Sequence, residues 1–209
     1  MRRTSYGQAS ALSPVDRLGV ALSARRVRRS VGALAGRRVA DFGCGFEARI
    51  ACSLRDGVAS LTLIDVALSA ELQALDGVRT IEGALPGAAR ALGDASIDVV
   101  LCTSVIEHLD EPLAALTEIR RVLAPGGVAF VNVPSWFGKR LLEFSAFRLG
   151  LSPREEMDDH RTYYDPRDLW PLLVRAGFRP HAITCRRYKF AMNTFAVCRV
   201  DADGAAVAS

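Results

Sequence analysis

The sequence predicts an α/β fold with a mostly parallel sheet, and three observations indicate it. Short apolar strands alternate with helical segments along the chain, which is the order that parallel sheets require. Residues 97–102 and 128–133 are almost continuously apolar, as expected of strands buried on both faces. A glycine turn at residues 43–45 joins the first strand to a helix. At 209 residues, the chain suits one such domain.

Local patterns predict each element in turn. Apolar runs bounded by turn residues indicate seven strands, at Arg38–Phe42, Ser60–Ile64, Val78–Ile81, Ile97–Cys102, Val128–Val133, Ala182–Arg187 and Thr194–Val200. Helical spacing of apolar residues indicates helices at Pro14–Val31, from the glycine turn to about Arg55, and at Ala67–Leu75, Leu113–Leu123 and Leu169–Ala176. We expect the last two strands to form an antiparallel pair at the edge of the sheet.

Three regions follow from this pattern. Residues 1–35 form an N-terminal helical segment, of which residues 1–13 are small and polar and are expected to remain unpacked. Residues 36–200 form the main domain, with an insertion at about 135–165 where aromatic and charged residues mix. Residues 201–209 form a polar tail.

Composition disfavours several classes of protein. No apolar run approaches the roughly 20 residues that span a bilayer, and no apolar signal segment follows the first two arginines. The five cysteines are scattered without a CxxC pair, which argues against a disulfide framework and against a zinc site. These features predict a protein of the reducing cytoplasm.

The net charge of +4 is unevenly distributed. Residues 1–38 carry nine arginines and one acid, whereas the rest of the chain has 18 basic and 22 acidic residues. Four arginines crowd the end of the first predicted helix: Arg25, Arg26, Arg28 and Arg29. They complement either the helix dipole or an anionic surface, and both interpretations stay open. The acidic main domain disfavours nucleic acid as a partner.

The segment VADFGCGFEARI, residues 39–50, carries the strongest functional signal. Gly43 and Gly45 let the chain turn sharply and let a ligand lie against the backbone. The same residues satisfy the dinucleotide fingerprint GxGxxA. Asp65, after the second strand, suits ribose hydroxyls in either case.

The charges beside the glycine turn distinguish binding of a dinucleotide from binding of another nucleoside cofactor. Asp41 and Glu47 flank the glycine turn. Each carboxylate would repel a pyrophosphate by about 4 kcal/mol at ~4 Å and an effective dielectric near 20. A cofactor bearing an ammonium and a sulfonium is attracted instead, so the turn favours S-adenosylmethionine over a dinucleotide.

Several segments in order resemble class I methyltransferases. Residues 41–47 resemble their motif (D/E)xGxGxG, residues 61–65 the ribose-binding strand, residues 95–109 the fourth-strand motif, residues 121–127 the RvLkPGG turn, and residues 169–178 the C-terminal helix end. The resemblance implies a Rossmann-like three-layer α/β/α sandwich whose seven-stranded sheet has an antiparallel C-terminal edge strand. It implies methyl transfer from S-adenosylmethionine, with S-adenosylhomocysteine as product, to an O or N of a small-molecule or glycan-type metabolite, in a possible homodimer.

The resemblance also assigns cofactor-binding residues: Asp41, Gly43, Cys44, Gly45, Asp65, Val66, Ala84, Leu85, Cys102, Thr103 and Ser104. The chain departs from the family at Glu47, which replaces a third glycine, and after Glu82, where an acid that would reach the adenine is missing. Some relatives bind a metal through ExxEH, but Ser104 replaces the first Glu, so we expect no metal.

Acceptor chemistry is less constrained. His108 and His160 are candidate bases, and Glu107, Trp136, Tyr163 and Tyr164 are candidate substrate-binding residues. His108 could instead order its loop, Trp136 could belong to the core, and the charged segment around His160 could be solvated. A non-catalytic binding or scaffold protein, a nucleic-acid methyltransferase and a dehydrogenase remain alternative functions.

Overall fold

A computed structural model describes residues 5–8, 14–140 and 161–202, and it confirms the α/β fold. Seven strands form one sheet in the order β3-β2-β1-β4-β5-β7-β6. The strands are β1 (Arg38–Phe42), β2 (Ser60–Asp65), β3 (Val78–Glu82), β4 (Ile97–Thr103), β5 (Leu123–Pro134), β6 (Ile183–Tyr188) and β7 (Asn193–Arg199).

Strands β1 to β5 are parallel, and β7 runs antiparallel to both of its neighbours, β5 and β6. The last strand in sequence therefore lies inside the sheet, and β6 forms the edge. Burial explains the order, because Phe195 to Cys198 of β7 are all buried, whereas half of β6 is exposed.

Helices cover both faces of the sheet. They are α1 (Pro14–Val31), α2 (Arg49–Cys52), α3 (Ala70–Gln73), α4 (Pro112–Val122) and α5 (Pro166–Arg175), with 3-10 turns at Gly87–Ala91, Ile106–His108 and Pro180–Ala182. Buried residues of α1, α2 and α3 pack with Val39 in one core, and those of α4 and α5 pack with Phe42 in the other. Alternate side chains of β1 thus pack into two hydrophobic cores, one on each face of the sheet. The sheet and the helices on its two faces form three layers. No described helix is both long and apolar enough to cross a membrane.

Helix α2 is shorter than predicted. It spans four residues instead of reaching Arg55, and it begins after Ala48, whose φ is 45°. A non-glycine residue in the left-handed conformation interrupts the regular backbone, so the turn and the helix are not continuous.

The N-terminal residues 5–8 are packed, which corrects the expectation for this part of residues 1–13. The amide of Phe46 donates a hydrogen bond of 2.9 Å to the carbonyl of Tyr6. The amide of Ser5 also donates to the Gln8 side chain at 3.1 Å. This segment therefore lies directly on the glycine turn.

Arg38 and Asp98 join the starts of two central strands. The guanidinium donates two hydrogen bonds to the carboxylate, at 3.1 and 2.7 Å, and the Arg38 amide donates a third at 2.8 Å. The side-chain hydrogen bond from Arg38 holds the pKa of Asp98 below its usual range.

We expect Asp98→Asn to lower the free energy of unfolding by about 1 kcal/mol at pH 7, a value discounted because the pair is partly exposed. A lowered pKa stabilises the fold above the unfolded pKa, and this contribution is lost as the pH falls through the folded pKa. The difference from the parent should therefore shrink in acid. Denaturant titration at pH 7 and pH 3 measures it. Asp94→Asn, which removes an exposed partner of Arg121, is the control and should change stability by less than about 0.5 kcal/mol. Equal effects of the two variants would contradict the assignment.

Candidate active site

A cleft opens at the edge of the sheet where the parallel strands end. It is lined by residues from the N-terminal segment and from the ends of β1, β2, β3 and β4: Ser5, Tyr6, Gly43, Asp65, Val66, Gly83, Ala84, Leu85, Ser104, Val105, His108 and Leu109. Ligands of open α/β sheets bind at this edge, beside the point where the strand order reverses. Here the reversal falls between β1 and β4, next to the glycine turn.

Gly43 brings bare backbone to the cleft. Its φ is 75°, and a Cβ atom added there would lie 2.9 Å from Cγ1 of Val105 and closer still to Cγ2. The amides of Gly43 and Cys44 both donate to the carbonyl of Ile64, at 2.7 and 3.2 Å. Any side chain at position 43 would force the turn away from β4 and break this packing.

Asp41 lies behind the turn as a buried carboxyl group. It is 3% exposed, and neither a hydrogen bond nor a cation of the described residues is among the causes of its pKa shift. Burial, and secondarily the charge of Asp65, raises its pKa from 3.8 to about 8. A cation stabilises a buried carboxylate of this kind. The charge of the site therefore favours a positively charged ligand.

Asp65 is held in a fixed orientation at the end of β2. One carboxylate oxygen accepts from the Gly45 amide at 2.7 Å, and the other accepts from the Val66 amide at 2.7 Å. Each oxygen retains acceptor capacity, and Asp65 lines the cleft. A vicinal diol, such as a ribose, suits a carboxylate presented in this way.

The end of β3 supplies a small apolar wall. Gly83, Ala84 and Leu85 line the cleft, and the Gly83 amide donates to the backbone carbonyl of Asp65 at 2.8 Å. Glu82 faces another partner, because it accepts from the Leu68 amide at 2.9 Å. The wall therefore offers backbone and methyl groups to a planar base, without a carboxylate.

Comparisons with known proteins agree with this geometry. A family model described as "Methyltransferase domain" matches residues 40–131. The tRNA U34 carboxymethyltransferase of Methylococcus capsulatus is 32% identical over 165 residues, which are 74% of this chain and 48% of that protein. The ubiquinone biosynthesis O-methyltransferase of Escherichia coli O6:H1 is 26% identical over 183 residues, which are 81% of this chain and 73% of that protein.

The fold has solved counterparts. A SAM dependent methyltransferase from Archaeoglobus fulgidus superimposes with a TM-score of 0.64 at 15% identity, covering 86% of this chain and 94% of that one. The matched segment 40–131 contains the glycine turn, Asp65 and the β4 end that form the cleft. Residues 40–131 therefore match a methyltransferase domain, and the fold of the chain is the one seen in solved methyltransferases. The chain spans about half the length of the Methylococcus capsulatus relative.

The predicted cofactor residues fall into two groups. Gly43, Asp65, Val66, Ala84, Leu85 and Ser104 line the cleft. The others are not among its lining residues: Asp41, Cys44, Gly45, Cys102 and Thr103. Cys102 is fully buried within β4, where burial raises the pKa of its thiol well above the usual range. Contact of each of these residues with the cofactor stays a prediction.

Glu47 does not intrude on the cleft. Its carboxylate pairs with the guanidinium of Arg49, and its side chain is exposed. The residue that replaces the third motif glycine therefore points outward, so its bulk and charge leave the cofactor space unaffected.

Of the candidate bases, only His108 lies within the described residues. It lines the cleft beside Ser104, whereas His160 lies outside the described part of the chain. Glu107 is fully buried, and its charge raises the pKa of Cys102 and of Tyr164, after the larger effect of burial. Glu107 is not among the residues that line the cleft, and its contact with a substrate stays a prediction.

The aromatic candidates cluster beyond β5. The rings of Trp136 and Tyr163 lie 5.5 Å apart, and the Lys139 ammonium lies over both. Tyr163 and Tyr164 are buried, while Trp136 is partly exposed. None of the three aromatic residues lines the described cleft, so their role in acceptor binding stays a prediction.

Sequence reasoning missed the contribution of the N-terminal segment. The Ser5 hydroxyl is buried without a hydrogen-bond partner among the described residues, and Ser5 lines the cleft together with Tyr6. No apolar period marks these residues, so their packing could be found only from the folded chain. Val105 and Leu109 were missed as well, although they adjoin the predicted Ser104 and His108.

We expect Asp41→Asn to stabilise the ligand-free protein at pH 9 by about 1–3 kcal/mol. Because the pKa of Asp41 is raised from 3.8 to about 8, its stabilising contribution is complete below pH 3.8 and is lost as the pH rises through 8. The variant should lose this pH dependence. Thermal unfolding between pH 4 and pH 9 tests the expectation, with Glu47→Gln as the control. If the thermal stability of the parent and of the variant changed with pH in the same way, the result would contradict a buried Asp41 carboxyl group without a cationic partner among the described residues.

Proposed function

We propose that the protein transfers a methyl group from S-adenosylmethionine to an O or N of a small-molecule or glycan-type metabolite. The observation that carries the proposal is the Asp41 carboxyl, which is buried behind the glycine turn without a cationic partner among the described residues. A dinucleotide would bring a pyrophosphate to this turn and raise the electrostatic cost of the buried carboxylate. A cofactor with an ammonium and a sulfonium lowers it.

The residues of the cleft fit the parts of this cofactor. Asp41 would favour its positive charges, Asp65 would accept from its ribose hydroxyls, and Ala84 with Leu85 would frame its base. Bare backbone at Gly43 would let it approach the turn. When bound, S-adenosylmethionine supplies an activated methyl group, so the chain mainly positions the acceptor and excludes water.

Isothermal titration with S-adenosylhomocysteine and S-adenosylmethionine tests the cofactor. We expect Asp41→Asn to weaken binding of S-adenosylmethionine at least tenfold, because the variant removes a buried carboxylate next to the glycine turn that would stabilise the ligand cations. Glu47→Gln is the matched control, since Glu47 points outward, and it should bind within twofold of the parent. Failure of the parent to bind either compound would refute the proposed function. Equal affinity of Asp41→Asn and the parent would refute the role of its charge.

The acceptor class rests on the cleft and on the relatives. Ser104 and His108 line the cleft, and the ubiquinone biosynthesis O-methyltransferase is a relative named for oxygen methylation. The other relative is named for tRNA, but the acidic main domain does not favour a polyanion there. In this proposal His108, which lines the cleft, would accept a proton from an acceptor hydroxyl that enters beside it.

We expect His108→Asn to lower kcat about 100-fold for a hydroxyl acceptor while cofactor affinity stays within twofold. Transfer of a radiolabelled methyl group to a panel of phenols, alcohols and amines identifies the acceptor and measures the rate. His181→Asn is the control, because His181 is exposed beside Asp201, away from the cleft. A kcat within threefold of the parent would refute the role as base, and a fall in thermal stability or cofactor affinity would assign His108 to loop order.

A further inference from the structure

One face of the molecule combines exposed arginines with exposed apolar side chains. It consists of the outer side of α1, the outer strand β6 and the turn that joins β6 to β7. We call it the α1–hairpin face, and its members are Arg17, Leu18, Leu22, Arg25, Arg29, Arg186 and Phe190.

This face has a strong positive charge. Its charged members are the four arginines Arg17, Arg25, Arg29 and Arg186, and none of its members is acidic. Arg25, Arg29 and Arg186 form no ion pair with any described residue, so their charges are directed to solvent.

Large apolar side chains lie within the positive surface. Leu18 and Leu22 are 61% and 39% exposed and are one helical turn apart on the outer side of α1. Phe190 is 93% exposed at the tip of the hairpin turn. Single exposed apolar residues are common, but three of them on the helix and hairpin that also carry arginines without ion pairs to described residues form an amphipathic surface.

The turn presents Phe190 in a fixed and strained conformation. Lys189, Phe190 and Ala191 have φ values of 51°, 55° and 66°, all in the left-handed region that disfavours side chains. The Lys189 ammonium donates to the carbonyl of Gly19 at 3.2 Å and to the Ser23 hydroxyl at 3.1 Å. Non-glycine residues keep such conformations only where the surrounding structure holds them, which is typical of functional sites.

Further contacts make α1 and the hairpin one unit. The Tyr188 hydroxyl donates to the Leu22 carbonyl at 2.7 Å, and the Arg26 guanidinium lies 4.5 Å from the centre of the Tyr188 ring. On the other side of the turn, the Ser135 amide donates to the Met192 carbonyl at 2.9 Å. The three apolar side chains are therefore held on a common scaffold and do not depend on a mobile loop.

We propose that the α1–hairpin face binds the surface of an anionic phospholipid bilayer. Arginines at the headgroup level attract acidic lipids, and leucine and phenylalanine side chains insert at the boundary of the acyl chains. RNA would use the arginines but would leave Leu18 and Phe190 exposed, so the apolar residues favour the bilayer.

The position of this face bears on the reaction. The hairpin turn pairs with the end of β5, at the same edge of the sheet as the cofactor cleft. Binding through Phe190 would hold that edge close to the bilayer, where a membrane-dissolved acceptor could reach the cleft. This consequence rests on the proposed function, whereas binding to the bilayer does not.

Vesicle flotation of the full chain tests the proposal. The vesicles contain either phosphatidylcholine alone or a 70:30 mixture of phosphatidylcholine and phosphatidylglycerol. We expect binding to the mixed vesicles only, weakened at 0.5 M NaCl. Phe190→Ala should weaken binding about tenfold, and Arg25→Gln combined with Arg29→Gln about 25-fold.

Matched controls come from other surfaces. Trp170→Ala removes a partly exposed aromatic side chain from α5, on the opposite face of the sheet, and Arg90→Gln removes an exposed arginine from the Gly87–Ala91 turn. Both should bind vesicles within twofold of the parent. Absence of binding to the mixed vesicles would overturn the proposal, as would equal losses in the control variants. Tighter binding to a tRNA-sized RNA that Phe190→Ala leaves unchanged would overturn it in favour of nucleic acid.

Circular dichroism and thermal unfolding of each variant confirm that the fold is intact, and cofactor binding is measured separately by titration with S-adenosylhomocysteine. The two proposals can fail separately: vesicle binding without cofactor binding would refute the proposed function alone, and cofactor binding without vesicle binding would refute the bilayer surface alone.

Discussion

The close approach of Gly43 to Val105 is the constraint on which the site depends. Because no side chain separates them, the end of β1 lies against the start of the segment that follows β4. The amides of Gly43 and Cys44 both donate to Ile64 at the end of β2, so the turn is fixed against both neighbouring strands. This packing places Asp65 beside the turn and brings the β4 end, with His108, to the opposite wall of the same cleft.

The same packing makes the buried carboxyl group of Asp41 destabilising when no ligand is bound. A carboxyl group buried behind backbone, without a cationic partner among the described residues, lowers stability at neutral and alkaline pH. The surrounding strands offset this cost, since β1 pairs with parallel strands on both sides. A sequence that only had to fold would place an apolar residue at position 41. The retained acid is better explained by differential stabilisation of a bound cation.

Local pattern predicted most of the fold, because strands β1 to β4 owe their bounds to apolar runs that end at turn residues. Strand β5 begins at Leu123 instead of Val128, so it continues through the predicted turn at residues 125–127. Helix α2 was overestimated, since nothing in the pattern shows that Ala48 adopts a left-handed φ. Strand β7 lies between β5 and β6 in the sheet. Tertiary pairing decides this position, so the order of the strands in the sequence does not predict it. The site was predicted where a motif fixes it, as at Asp65. It was missed at Ser5 and Tyr6, which reach the cleft by folding back over 38 or more residues of chain.

The arginines of α1 show how three-dimensional placement decides between two interpretations that the sequence leaves open. Interaction with the helix dipole falls off beyond the last turn, so it can account for Arg28 and Arg29 but not for Arg17 or Arg25. Arg28 also donates to the carbonyl of Ser53, which satisfies it within the fold. The outward arginines instead share a surface with Arg186, which comes from a strand more than 150 residues later in the chain. Cations from distant segments that form no ion pair with described residues thus share a surface with exposed apolar side chains. This arrangement supports the proposed anionic surface over a role in the stability of a single helix.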